Sequence, residues 1–196
     1  MIATDLKNSR HVAASIEPMF VERWSSRSFT DKPLTSDQIA SLFEAAHWAP
    51  SSGNRQPWLF VYATDGPDRE RLNSVLNEGN SRWAPKAPML MLVFARKVTE
   101  DGKNIHTAHF DTGAAWMSLA LQANRMGLNT RGMGGIDRDA AYDAAGVPRE
   151  TFESICAIAV GTRGTDSDLD PQIVKQNFAN DRKPAGEIAF KGRFSQ

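Results

Sequence analysis

Residues 49–58 read APSSGNRQPW. Between the prolines lie two hydroxyls (Ser51, Ser52), a glycine (Gly53), two amides (Asn54, Gln56) and a guanidinium (Arg55). Pro50 and Pro57 fix φ at both ends and push the residue before each away from helical geometry. The connector is therefore stiff and carries mostly neutral donors and acceptors. Such a set suits a flat heterocycle with its own hydrogen-bonding edge. A metal ion would call for carboxylates, imidazoles or thiolates, which this stretch lacks. The same composition also fits an ordinary helix-to-strand loop. A second stretch, RWSSRSF at 23–29, sets Arg23 and Arg27 around Ser25 and Ser26. Forked guanidinium donors and short hydroxyls make a phosphate cradle, or else a solvated basic loop. In the third stretch, GMGGID at 132–137, Gly134 and Gly135 leave a bare backbone that a ligand can approach. It lacks the glycine spacing of a dinucleotide fingerprint, and no Lys-Ser/Thr pair follows as a P-loop requires. Lys191 and Arg193 add cations near the far end. His106 and His109 are three apart with no third ligand evident nearby, so solvated or capping roles suit them better than a metal. No Ser-His-Asp or Cys-His set stands out, so if the chain is an enzyme a bound organic cofactor must carry the chemistry.

The elements that position these residues follow from periodicity. Residues 16–23 form a short helix with Ile16, Met19 and Phe20 on one face. Thr35 to Gln38 fits a capping box, and Ile39, Leu42, Phe43 and Ala46 then recur at helical spacing, delivering the chain to residue 49. Residues 59–63 are a strand by composition. Residues 67–77 read as helix with Leu72, Val75 and Leu76 inward, and 78–83 as a loop. MLMLVFA at 89–95 is a strand covered on both faces. Residues 96–109 read as a surface excursion or lid. Residues 111–126 form the most apolar helix, central or in an oligomer interface, stopped by Gly127. A short strand at 129–133 precedes a helix over 138–145, capped by Asp137 and ended by Gly146. Residues 152–160 form another buried strand. The polar tail closes on IAFKGRF (188–194), which should dock on something, such as a neighbouring subunit.

The chain has 196 residues, with 23 basic and 23 acidic side chains. That balance leaves no basic field for nucleic acid. One domain is expected over 16–196, preceded by a loosely held segment over 1–15. Apolar runs are too short and interrupted to span a bilayer. A single cysteine, Cys156, excludes an internal disulfide and suits a reducing, cytoplasmic setting. The start of the chain lacks the apolar core of a signal peptide.

Taken together, RWSSRSF, APSSGNRQPW, GMGGID and the terminal K-x-R resemble the FMN-dependent nitroreductase family, in order, from about residue 16 to the end. The resemblance implies an α+β fold: a central mixed, mostly antiparallel sheet flanked by helices, built as an intertwined homodimer with a tail crossing to the partner. It implies FMN at the subunit interface and NAD(P)H as co-substrate. Arg23, Ser25 and Arg27 would meet the phosphate and ribityl chain, and Trp24 stands where the family typically has a residue offering its backbone to the ring. Pro50, Ser51, Ser52, Asn54 and Gln56 would come from the other subunit. Asn80 would meet the pyrimidine, and Met133, Gly134 and Gly135 would run beside N5. Lys191 and Arg193 would complete the phosphate clamp. Some members carry an acidic side chain where this chain has Gly134. The implied activity is ping-pong reduction of nitroaromatics, quinones or similar small acceptors. Alternatives are dehalogenation or dehydrogenation on the same fold, or a non-catalytic FMN-binding module.

Overall fold

The computed structural model describes Arg10 and residues 12–194. Four strands, β1 (Trp58–Ala63), β2 (Met89–Arg96), β3 (Leu128–Met133) and β4 (Phe152–Thr162), pair in the order β1-β2-β4-β3, every pairing antiparallel. The helices are α1 (Pro18–Glu22), α2 (Ser36–His47), α3 (Gly66–Asn73), α4 (Glu78–Ser81), α5 (Ala108–Arg125), α6 (Arg138–Ala145) and α7 (Pro171–Val174). The α+β architecture of a sheet between helices is the expected one.

The side-chain alternation of β2 divides the core. Leu90, Leu92 and Phe94 point to one face with Ala157 and Ala159 of β4, Leu72 of α3, and Ala141 and Ala144 of α6. Met89, Met91 and Val93 point to the other with Ile158 and Val160, against Leu42 and Ala46 of α2 and Ala115, Leu119 and Ala123 of α5. Every residue of β2 before Arg96 is buried, as a two-sided strand requires. Local signals hold where the chain supplies them. The Thr35 hydroxyl accepts from the Gln38 N–H while the Gln38 side chain accepts from the Thr35 N–H. Asp137 caps α6, and Gly146 ends it at φ 66°, where a side chain would be strained.

Besides shifts of one or two residues at other ends, three boundaries differ from the sequence expectation. Helix α3 ends at Asn73 rather than near 77, because Leu76 forms a bridge with Ile136 and the Val75 carbonyl accepts from the Asp137 N–H at 2.7 Å. The expected loop over 78–83 begins as α4, since the Asn77 side chain accepts from the Asn80 N–H. Helix α5 starts three residues early, at Ala108. The excursion before it is tied down by a Val98–Asn104 bridge and by Ile105, buried against Ala95 and Ala108, so it is a pinned hairpin and not a lid. Of the N-terminal segment, residues 1–9 and 11 lie outside the described residues. Arg10 donates to the carbonyls of Val21, Arg23 and Asn180.

Gly161 in β4 packs under a proline ring, where an added Cβ would lie 2.4 Å from Pro88 Cδ and 3.2 Å from Phe29. Gly161→Ala should therefore destabilise the fold by about 1–3 kcal/mol, read from the midpoint of denaturant unfolding.

Candidate functional site

The arginine stretch follows α1 and runs alongside β3 and the end of β4. Phe29 bridges to Arg163, and the Asn129 amide donates to the Ser26 carbonyl. Its conformation is set by a buried polar knot. The Asn177 side chain accepts from the Arg27 N–H at 2.7 Å and donates to Ser28 Oγ and to Asp166 Oδ1. Ser28 Oγ closes the ring by donating to the same carboxylate oxygen. The loop and the tail are thereby locked together, and the Arg27 guanidinium reaches the Gln176 carbonyl.

Beside this knot opens a cavity of about 390 Å³ lined by Trp24, Ser25 and four arginines, Arg10, Arg27, Arg131 and Arg182. Arg131, on β3, donates to the Ser25 carbonyl, and its guanidinium carbon lies 5.5 Å from the Trp83 ring centroid. Its Nε is buried with no hydrogen-bond partner. Burial, and secondarily the charge of Arg27, pushes the Arg131 guanidinium down to about 10. Arg23 is lowered by burial and then by Arg10 and Arg182. Among the described residues no carboxylate pairs with Arg23, Arg27 or Arg131. Arg23 reaches Ser25 Oγ at 3.4 Å but lines a neighbouring cavity that shares Trp24 with the first. The Arg163 guanidinium lies 4.7 Å from the Trp24 ring centroid.

The 49–58 stretch sits elsewhere. It feeds β1, at the sheet edge opposite β3, so β2 and β4 separate the two. At the ordinary strand spacing, β1 and β3 are roughly 14 Å apart. The stretch is exposed from Ser52 to Gln56, and Gly53, Asn54 and Gln56 all have positive φ. Two non-glycine residues in that region mark a loop held in shape by its surroundings. The holding groups are visible. Ser51 Oγ accepts from the Gln56 N–H, the Gln56 amide donates to Asn54, and buried Asp111 accepts from the Ser52 N–H at 3.2 Å. Pro50 is also exposed.

The glycine pair and Asn80 do meet. The Asn80 amide donates to the Gly135 carbonyl at 2.9 Å, and so does the Asn77 N–H at 3.2 Å. Met133 is buried at the end of β3, while Gly134 is exposed. Lys191 and Arg193 are exposed in the tail and line none of the cavities described here. A single chain thus brings Ser25, Arg27 and Trp24 together and joins Asn80 to Gly135. It keeps the 50–56 loop at the far edge and Lys191 and Arg193 outside the cavity.

Sequence reasoning missed Arg131, Arg10, Arg182, Asp111 and Asn177. Arg131 is one residue before the glycine stretch on a short strand, and its alternation toward the arginine loop was a usable signal. The others act through contacts far apart in sequence. Of the His106 and His109 pair, His109 lies 2.9 Å from Glu153. No helix among the described residues is long and apolar enough to cross a membrane.

The nitroreductase family model matches residues 21–82 and 72–162. The chain belongs to the nitroreductase family. Two bacterial relatives named "Putative NADH dehydrogenase/NAD(P)H nitroreductase" align over most of its length. The one from Streptomyces griseus subsp. griseus is 24% identical over 172 residues, covering 79% of this chain and 88% of the relative. The one from Xanthomonas oryzae pv. oryzae is 26% identical over 185 residues, covering 85% and 93%. A crystal structure described as an oxidoreductase containing FMN superposes with a TM-score of 0.92 at 36% identity, covering 98% of this chain and 99% of the other. A Desulfovibrio desulfuricans structure in complex with FMN superposes at 0.72 with 24% identity, covering 90% and 96%, a likeness of fold.

In this nitroreductase-family chain the two adjacent glycines answer to different neighbours. A Cβ on Gly135 would lie 2.4 Å from the Asn77 amide nitrogen, while one on Gly134 would meet nothing within 4 Å. Gly135→Ala should cost about 1–3 kcal/mol by displacing the Asn77 cap, and Gly134→Ala should stay within about 0.5 kcal/mol, both read from thermal unfolding. Burial pushes the Cys156 thiol up to about 11. A raised value keeps it protonated at pH 8, so iodoacetamide should alkylate it more slowly than glutathione under the same conditions.

Proposed function

We propose that the protein is a homodimeric FMN-dependent oxidoreductase of the reducing cytoplasm. It takes electrons from NADH or NADPH and passes them to a small acceptor such as a nitroaromatic or a quinone. The observation that carries this reading is the split of the site. The arginine loop and glycine pair gather near one sheet edge, and the 50–56 loop projects its amides from the other. A second copy, related by two-fold symmetry, supplies each half with what it lacks. Exposed apolar surface supports such a partner. Trp48 is 76% exposed just after α2, Phe110 81% exposed on α5, and Ile188 and Phe194 of the tail 70% and 71% exposed. Phe110, Gly113 and Met117 recur on one outward face of α5 at helical spacing.

The donor set fits the cofactor. A phosphate needs fixed cations, and Arg27 stands in a cavity whose guanidiniums outnumber nearby carboxylates. A neutral heterocycle edge needs amides, and Asn54, Gln56 and Asn80 offer them. A flat ring needs close backbone approach, and Met133, Gly134 and Gly135 provide it. FMN supplies two-electron transfer at its N5 atom when bound. The chain supplies placement. Ser25 and Arg27 would hold the anionic end, Arg23 would stand in the adjoining cavity across Trp24, and Pro50, Ser51 and Ser52 would present a pre-shaped rim from the partner copy. The open space at Gly134 is where the nicotinamide and the acceptor would take turns. The FMN named for the crystal structure at 36% identity supports the same cofactor here.

The purified protein should be yellow, run as a dimer of the 21.6 kDa chain, and bleach anaerobically on mixing with NADH or NADPH. Initial-velocity lines at fixed acceptor concentrations should be parallel. Arg27→Ala should weaken FMN binding by about 1.5–3 kcal/mol, as loss of a charged hydrogen bond does, measured by flavin fluorescence. A colourless monomer that takes up no FMN would overturn the reading.

A further inference from the structure

The loop that carries the amides is hydrogen-bonded to the rest of the chain at one point. Residues 51–56 bond mostly among themselves. Ser51 Oγ accepts from the Gln56 N–H at 3.0 Å, the Asn54 N–H donates to the Ser51 carbonyl, and the Arg55 N–H and guanidinium both donate to the Ser52 carbonyl. Among the described residues, only the Ser52 N–H makes a hydrogen bond outside this loop, to Asp111 Oδ2 at 3.2 Å. The loop is exposed from Ser52 to Gln56, and Asn54 and Gln56 hold φ of 54° and 46°. Non-glycine residues keep such conformations only where their surroundings enforce them.

Asp111 lies in the first turn of α5 and is 3% exposed. The same Oδ2 also accepts from the Thr107 hydroxyl at 2.9 Å. Neither donor is a free N–H of α5, so the side chain does not serve as that helix's cap. A buried carboxyl group is costly without hydrogen bonds, and these two supply them. Thr107 follows the pinned hairpin, whose Ile105 is buried against Ala95 and Ala108 and donates its N–H to the Lys97 carbonyl at 2.8 Å. A line of contact therefore runs from the hairpin through Thr107 and Asp111 to Ser52.

We propose that Asp111 is a positioning residue: braced by Thr107, it fixes the 51–56 loop so that Asn54 and Gln56 present their amides to a flavin ring seated with the partner copy. The inference rests on the function proposed above. Asp111 touches no cofactor in it and acts through the Ser52 backbone. The hairpin over 97–105 gains a task as the buttress of this anchor. Asparagine at 111 keeps the geometry, since one amide oxygen can accept from both Thr107 and Ser52. Leucine, of similar shape, leaves both donors unpaired.

The test follows loop and flavin separately on the full chain. Without flavin, hydrogen exchange of the 50–57 segment, read by mass spectrometry, should rise roughly tenfold in Asp111→Leu and stay at the wild-type rate in Asp111→Asn, with β2 unmoved in both. Ser52→Pro deletes the same N–H from the other side. Ser51 already has φ −147° and ψ 151°, as a residue before proline needs. Its remaining loop amides should exchange as in Asp111→Leu when compared with Ser52→Ala, which loses the hydroxyl alone. With flavin added, Asp111→Leu and Ser52→Pro should bind FMN and riboflavin alike roughly tenfold more weakly than Asp111→Asn and Ser52→Ala. The visible absorption bands of the bound flavin should shift in the first two variants only, because hydrogen bonds to the ring tune them. Unchanged exchange in Asp111→Leu overturns the anchor. Raised exchange with wild-type flavin affinity and bands overturns the positioning role and leaves the flavin function intact. Weaker binding that tracks a lower melting temperature, with the bands unmoved, reduces Asp111 to a structural residue and overturns the proposal. If Asp111→Leu does not fold by circular dichroism, the pair at exposed Ser52 decides. A wild type that takes up neither flavin overturns the proposed function and the positioning role with it, and raised exchange in Asp111→Leu then keeps the anchor alone.

Discussion

Partial burial of arginines beside the 23–29 loop is the constraint that loop and tail must satisfy together. Arg23, Arg27 and Arg131 are drawn partly out of water, near Arg10 and Arg182, without a carboxylate for any of the first three among the described residues. Such a group would spread apart if it were free to move. It is not free, because Asn177 accepts the Arg27 backbone N–H and fastens Ser28 to Asp166 in a buried ring. The only carboxylate in that knot is spent on the Ser28 hydroxyl and the Asn177 amide rather than on a guanidinium. The scaffold thus holds the Arg27 backbone in place without spending that carboxylate on its guanidinium.

The sheet contributes the second constraint. Its order places β1 and β3 at opposite edges, and a helical layer covers each face. No side chain can reach from one edge to the other through a core so filled. The loop with the stiff amides and the loop with the cations are therefore separated by the same packing that makes the chain stable. In the homodimer proposed above, a second copy would bring its own far edge to the first.

Signals contained within a few residues were readable from the chain alone. The Thr35 capping box, the Asp137 cap with Gly146 at the other end of α6, and the unbroken apolar run of β2 needed no distant partner. The end of α3 was not readable, because helix propensity continues past Asn73 and only the pairing of Leu76 with Ile136, sixty residues on, draws the chain out of it. Helix α4 was missed for a related reason, since EGNS has little to recommend it as helix beyond the Asn77 cap. At the site, the motif residues Ser25, Arg27 and Trp24 were found together and Asn80 was found on Gly135. Arg131, Asp111 and Asn177 stayed hidden because each acts across the fold, and an isolated arginine in NTRGM looks like any strand-edge cation. Asp111 was read as the mere start of a helix, yet it holds the Ser52 backbone from the next element.

The two neighbouring glycines just beyond β3 are under different steric constraints. At 135 the added carbon crowds the Asn77 and Asn80 side-chain amides, so a substitution there must displace a helix cap and the hydrogen bond to the Gly135 carbonyl. At 134 nothing of the chain stands in the way. Descendants of this sequence can try small, polar or acidic groups at that position while keeping the scaffold intact, and the spectrum of molecules accepted at the open face can diverge by single substitutions there long before the fold registers any change.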